Sequence, residues 1–342
     1  MNESMLDDLD HRIISALQID PRIPWSSLVP VLGVDAVTLG RRWRKMTEEG
    51  VVWTTGLPVN LHQRIGAILI VKCNPRHVTG VVSAFSRMPQ AMTIDIGMGN
   101  LELVVTVVER SEERLAGFLF DVARTTRHVR SVQTHLLTNP WKHGEQWRLG
   151  ALTPEEVKSI PPAKTARKRA AKSISPELEN AVYQALGPDA RTPATRVAEL
   201  GGVSVQRAQD AIDVMRNRGQ IQLRTDLDRA FSGWPVHLWY FMDVPPAMLE
   251  KVGTAVSTMQ EVRFVSSVAG SYNLIFSAWM RRLAQAHTFE RLLDQKFQNV
   301  AVGRRSIILK TPKHLGHLFD DNGRCTDTFV PMPTSKIADL AP

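Results

Sequence analysis

Four of the five residues from Arg41 to Lys45 are cations, Arg41, Arg42, Arg44 and Lys45, interrupted only by Trp43. A guanidinium forks onto phosphate oxygens or onto the acceptor edge of guanine, so a cluster of this density suits double-stranded DNA. Just upstream, Ala36 and Thr38 are small enough for close approach to base edges. Asp35 stands where a helix N-cap belongs, and Ser26 and Ser27 offer hydroxyls to phosphates. Other chemistries lack their residues. There are no paired carboxylates, no glycine-rich phosphate loop and no nucleophile beside a base, and Cys73 and Cys325 have no metal-ligand spacing. The sequence therefore predicts no catalytic residues, metal or cofactor. A basic run can equally be a solvated helix face, and the elements around it decide between the two.

Leu9, Ile13, Ile14 and Leu17 fall at helical spacing, and Asp20-Pro21 stops that helix. A short second helix follows from Trp25 to Leu32, and Gly33 supplies a turn. A third helix opens after Asp35 with Leu39, Trp43 and Met46 on its inner face, and Gly50 ends it. The β-rich run VVWTTGLPV then suits a wing strand. Three short helices and a wing predict a winged helix-turn-helix, which lays its third helix in the major groove. With Leu39, Trp43 and Met46 inside, Ala36, Val37, Thr38, Gly40, Arg41, Arg44 and Lys45 are left outside or at the edge.

The chain then repeats itself. At an offset of 169 residues, Leu9, Asp20, Arg22, Pro24, Gly33, Met46 and Gly50 recur as Leu178, Asp189, Arg191, Pro193, Gly202, Met215 and Gly219. So long a period means a duplicated pair of domains, since solenoid repeats span only tens of residues. The second third helix keeps its core in Ala208, Ile212 and Met215, but Arg41 and Arg44 become Asp210 and Asp213. Ser204, Gln206, Arg207 and Arg216 are its candidate DNA contacts. Aspartates facing phosphates predict a weaker second reader.

After each wing the periodicity changes to strands. The first half reads AILIVK, a helix over 76–88, AMTIDIG, LELVVTVVE, a helix in SEERLAGFLFDVAR, and VRSVQTHLL; the second half follows the same plan. The order β-α-β-β-α-β predicts a ferredoxin-like sheet with both helices on one face. The bare face needs a cover, which sheet-to-sheet pairing supplies, between chains or between the two halves. The fold class expected is α+β: two copies of a winged helix-turn-helix followed by a ferredoxin-like domain. The expected boundaries are 1–60, 61–142, a basic linker over 143–173, 174–230, 231–314 and a tail over 315–342 forming a loop or short hairpin. The halves share a turn, Gly97-Met98-Gly99-Asn100 and Gly270-Ser271-Tyr272-Asn273, whose residues suit a hairpin.

A net charge of +8 points to a polyanionic partner, and KTARKRAAK, from Lys164 to Lys172, carries five cations and no acid. That run reads either as a solvated linker or as an arm that touches phosphates. At 43% hydrophobic residues the chain is that of a folded soluble protein. No apolar run approaches a membrane span, and MNESMLDDLD is acidic where a signal peptide is basic, so a cytoplasmic location without membrane contact is expected. His62, His77, His128 and His135 have no counterparts in the second half and are expected on surfaces or strand ends.

The order of these motifs resembles the Lrp/AsnC family of transcription regulators in a tandem, double-length form. The residues that carry the resemblance are Leu9-Asp10 with Ile13-Ile14, Asp20 with Arg22, the stretch from Arg42 to Val51, and the Gly-x-x-Asn turns. The resemblance implies sequence-specific DNA binding by the first module and dimerisation by the second, the RAM domain, giving a homodimer or higher homo-oligomer. It also implies an effector, an amino acid or another small metabolite, near the turns: Gly97 and Asn100, Gly270 and Asn273. The family pattern there is Gly-x-x-Asp. Asparagine removes the carboxylate that would hold an effector ammonium, which puts an amino acid in doubt. The same plan also resembles sirohaem decarboxylases, an enzyme alternative, but the His-Cys-Tyr-x-Arg sort of run of those proteins has no match in MTIDIG or RFVSSVAG. A third alternative is an oligomerising ligand sensor whose second DNA-binding module has decayed.

Overall fold

The computed structural model describes residues 6–58, 64–98, 102–126, 128–162, 173–297 and 300–333. The first helices are α1 (Asp8–Ile19), α2 (Trp25–Leu32) and α3 (Ala36–Glu48). Each boundary has a local cause. Asp7 and Asp10 form a reciprocal capping box at α1, Gly33 ends α2 at φ 71°, and the Asp35 side chain accepts from the Thr38 N–H at the start of α3. Such caps stabilise by about 1 kcal/mol each. Ile13, Leu17, Leu28, Leu39, Trp43 and Met46 form the buried core between the helices. The chain continues through β1 (Val52–Pro58), β2 (Ile65–Cys73), α4 (Val78–Ser86), β3 (Ala91–Gly97), β4 (Glu102–Glu109), α5 (Glu112–Thr125) and β5 (Val129–Lys142).

Residues 143–162 are no free linker. Trp147 and Ile160 are buried in the first helical core, and the short helix α6 (Pro154–Ser159) is tied to α1 by an ion pair of Arg12 with Glu156 at 2.5 Å. The apolar side chains Trp147, Leu149, Leu152 and Ile160 explain the packing. The cationic run from Lys164 to Lys172 lies outside the described residues.

The same order of elements then recurs: α7 (Pro176–Leu186), α8 (Ala194–Gly201), α9 (Val205–Asn217), β6 (Ile221–Leu227), β7 (Val236–Asp243), α10 (Leu249–Ser257), β8 (Val262–Ala269), β9 (Leu274–Met280), α11 (Gln285–Lys296) and β10 (Ala301–His314). A hairpin of β11 (His317–Phe319) and β12 (Cys325–Phe329) follows.

The two halves meet each other through pseudo-two-fold contacts. β1 and β6 form a two-stranded antiparallel ribbon centred on Thr55 and Arg224, which hold the same place in the repeat. Arg22 donates to the carbonyls of Ala190 and Thr192 at 2.7 Å each. Its counterpart Arg191 donates back to the carbonyl of Pro21 at 2.6 Å and to that of Ile23. The sheets do the same on a larger scale. β5 pairs with β8 and β10 pairs with β3, and because β10 also pairs with β7, eight strands of the ten-stranded sheet close into a barrel. Closure removes the edges that an open sheet would expose. Helices α4 and α5 cover one outer face over Val81, Phe85, Leu115 and Val122, and α10 and α11 cover the other over Val252, Val256, Phe289 and Leu293. Inside, Ile68, Ile70, Val104, Trp239, Phe241 and Ile275 form a shared core. Within this chain the bare sheet faces are covered by one another.

Candidate nucleic-acid interface and interior cavity

The outer face of α3 is open. Val37 is 81% exposed, Arg41, Arg44 and Lys45 are exposed, and Ser26 is exposed on the neighbouring α2. Ser27, Ala36 and Thr38 lie half-buried along the same edge, and Asp35 is exposed as the cap. Two residues on this face have roles that spacing alone did not show. Arg42 bridges Asp7 at 2.6 Å and Asp10 at 3.0 Å, fastening α3 to the start of α1. Pairs this exposed are worth about 1 kcal/mol or less, so a phosphate could compete for Arg42 at small cost. Gly40 packs under Trp25, whose indole nitrogen lies 3.3 Å from where a Cβ would stand. Its smallness therefore serves the core.

The corresponding face of α9 is largely closed. Ser204 and Gln206 at its start are exposed, but Ser204 is the N-cap and Gln206 donates to Asp210. Arg207 is half-buried and donates to the Ser173 carbonyl. Asp210 and Asp213 are buried, which corrects the expectation that they face a groove. Burial raises the Asp213 carboxyl in spite of Arg216 and Arg22 nearby. Arg216 is also removed from the candidate DNA contacts, because it is mostly buried in a 2.7 Å ion pair with Asp20 at the α1–α2 turn. Thus the residues that distinguish α9 from α3 suit a packed contact between the units. Arg191 shows the same economy. It stacks 4.1 Å over the Trp25 ring, and burial lowers its guanidinium to about 10.

The turn residues have packing roles too. The Asn273 side chain clamps one residue, accepting from the Val244 N–H at 2.9 Å and donating to its carbonyl at 2.6 Å. Gly270 lies against His135, where a Cβ would stand 2.7 Å from the ring. Gly97 ends β3 and pairs with Ile308, while Asn100 lies outside the described residues. His135 is fully buried, stacked with Tyr272, which corrects its expected surface position; burial lowers its pKa. His77 and His128 stack on each other at 3.6 Å on the exterior, and His62 lies outside the described residues.

A cavity of about 460 Å3 lies where the barrel meets the wing ribbon. Trp53 of β1 and Arg224, Asp226 and Leu227 of β6 line its wing side. Trp239, Phe264 and Trp279 supply aromatic wall from the barrel, with Asp95, His237 and Arg263 among them. Its polar groups are mostly matched. Asp226 takes a two-point grip from Arg224 at 2.7 and 2.6 Å; burial, the largest single influence, would raise its carboxyl, but Arg224 and His314 together hold it well below the usual range. Asp95 accepts from the Trp239 indole at 2.8 Å and from the Thr311 hydroxyl at 2.6 Å. Burial pushes His237 down to about 3, so it stays neutral and bonds Ser277 at 2.8 Å. Sequence reasoning passed over this site because its residues are spread from Trp53 to Gly323, and neither helical nor strand periodicity marks them. Near the cavity, His317 and Cys325 approach at 3.5 Å, but burial raises the thiol to about 12 and lowers the imidazole to about 4, the reverse of an activated nucleophile.

Residues 6–47 match the model of the AsnC-type helix-turn-helix domain. An HTH-type transcriptional regulator of Pyrococcus furiosus is 29% identical over 143 residues, which is 41% of this chain and 97% of that protein. The first helical unit is thus an AsnC-type helix-turn-helix domain. AldR, an HTH-type transcriptional regulator of Mycolicibacterium smegmatis, is likewise 29% identical over 138 residues, covering 39% of this chain and 81% of its own. These relatives each correspond to well under half of this chain. Over nearly its whole length the fold is similar to the solved structure of the siroheme decarboxylase NirDL, with a TM-score of 0.59 at 14% identity, covering 93% of this chain and 96% of that one. Among the described residues no cluster of three His, Cys, Asp or Glu side chains could hold a metal, and no helix is long and apolar enough to cross a membrane.

Proposed function

We propose that the chain is a sequence-specific DNA-binding regulator in which two Lrp/AsnC-type subunits have been joined end to end, with α3 as its working reader. The observation that carries this reading is the contrast between the two third helices. On α3 the cations Arg41, Arg44 and Lys45 are exposed beside small residues, whereas the matching face of α9 holds buried aspartates and an ion-paired arginine. A helix with that outer face can enter the major groove and neutralise phosphates at once. One chain then presents one open recognition helix, and binding to a two-part operator draws its second α3 from another chain. The test is DNA affinity across a salt series. Phosphate contact gives log affinity falling with log salt at about 0.9 per phosphate neutralised, and a flat response contradicts the reading.

A second reading, a tetrapyrrole-processing enzyme, is favoured by one observation, the whole-chain similarity in fold to NirDL. An absorbance scan of the purified chain with an added iron porphyrin tests it, and an unshifted porphyrin spectrum contradicts it. The exposed basic face of α3 gives that enzyme no evident task, and the regulator reading accounts for it.

A further inference from the structure

The cavity between the wing ribbon and the barrel is built with two unmatched positive donors. Arg263 is 8% exposed and sandwiched by Trp279 at 3.7 Å and Trp147 at 4.7 Å; its Nη2 reaches Asp226 at 3.4 Å, but its Nη1 is buried without a partner among the described residues. Arg229 gives its Nη2 to the carbonyls of Ile308 at 3.0 Å and Leu309 at 2.8 Å, and its Nη1 is likewise buried without a partner among the described residues. Both arginines line the cavity. A buried guanidinium nitrogen left unmatched costs free energy, and an anion bound there recovers it. Four carboxylates, Asp95, Asp226, Asp228 and Asp321, share the cavity, and none of them accepts from either Nη1. Both oxygens of Asp226 take Arg224, and both oxygens of Asp95 take Trp239 and Thr311. Those same bonds leave no carboxylate oxygen of Asp95 or Asp226 unengaged for an incoming ammonium group, while Asp228 accepts from the Ala230 N–H and Asp321 pairs with Lys310. Trp53, Trp239, Phe264 and Trp279 add flat aromatic wall, in a volume suited to a small molecule.

We infer that this cavity binds a small aromatic carboxylate, an anion without an ammonium group, through Arg229 and Arg263. Its carboxylate meets the two free Nη1 donors and its ring lies among the tryptophans. A ligand so placed touches β1 and β6 as well as the barrel, so its occupancy bears on how the two helical units sit on the barrel and hence on α3. That last step rests on the regulator reading above, while ligand binding itself does not. It also moves the effector away from the Gly97 and Gly270 turns, since Asn273 is engaged by backbone and Gly270 by His135.

The experiment is calorimetric titration of the full chain with benzoate, 3-phenylpropanoate and indole-3-acetate, and with two relatives of the second probe, L-phenylalanine and 3-phenylpropan-1-ol. At least one acid is expected to bind, and 3-phenylpropanoate at least tenfold more tightly than its amino acid or alcohol counterpart. Arg229→Gln should erase the preference for acid over alcohol. Ala230→Trp, at an exposed residue on the rim, should block all the acids while leaving the fold's circular dichroism intact. If no acid binds, or if acid and alcohol bind equally, the inference is overturned. Parallel DNA titrations separate the two proposals. DNA binding without any effect or binding of acid removes the ligand site alone, and acid binding without DNA binding removes the regulator alone.

Discussion

In the proposed regulator, Arg41 and Arg44 are the residues on which DNA recognition turns. Replacing both with alanine should weaken DNA binding by tenfold or more at fixed salt and reduce the salt slope by about 0.9 for each phosphate no longer neutralised, measurable by fluorescence anisotropy. Buried histidines set a different residue-scale property. His237 and His317 are pushed down by burial to about 3 and about 4, below the ordinary 6.5. As pH falls from about 6.5 toward those values the unfolded chain takes up protons that the folded chain refuses, so stability falls with acidity, by up to about 1.4 kcal/mol per pH unit for each histidine. In urea titrations between pH 7 and 4, His237→Gln should lose stability less steeply than the parent. Equal slopes would show that the imidazole is not held neutral. Lys313, fully buried and donating to the carbonyls of Ser86 and Met88 just past α4, works in the opposite pH range. Burial lowers it to about 8, so the parent should gain stability between about pH 8 and 10, where the unfolded chain still holds a proton that the folded chain has given up, a gain absent in Lys313→Met.

At the scale of elements, the sequence was legible wherever a short-range rule governs. The stops of α1 to α3, the caps at Asp35, Gly33 and Gly50, and the strand and helix order of each half follow from spacing, capping and turn chemistry. What was hidden is what each element faces. Periodicity marks Ala208, Ile212 and Met215 as the buried side of α9, but its other side is also buried, because a second surface, the α1–α2 turn, reaches it through Arg216 and Asp20. Charge alone marks Asp210 and Asp213 as poor partners for phosphate, but it does not show that they are packed away from any groove. The reciprocal grip of Arg22 and Arg191 is the element-scale device that holds the helical units together. Arg22→Ala and Arg191→Ala should each loosen the pair of units, seen as faster hydrogen exchange in β1 and β6, and together should add little beyond either one if the grip acts as a unit.

At the scale of the whole molecule, the two similar halves of the chain close on each other within it, as the proposed joining of two subunits requires. The antiparallel ribbon, the reciprocal arginines and the closed barrel all place the same residue of the repeat on both sides of one pseudo-two-fold axis. Closure also explains why the cavity could not be read along the chain: its walls come from both wings, both sheets and the final hairpin, joined only when the ring is shut. Once the halves share one chain they need no longer be alike. One third helix has kept a basic open face, and the other has become part of the joint.

That asymmetry is measured most directly by comparing two variants on the same DNA at the same salt, Arg41→Ala with Arg44→Ala in one and Arg207→Ala with Arg218→Ala in the other. The account predicts that the first loses tenfold or more in affinity with a shallower salt slope, while the second stays within about twofold of the parent. An equal or larger loss in the second variant would contradict it.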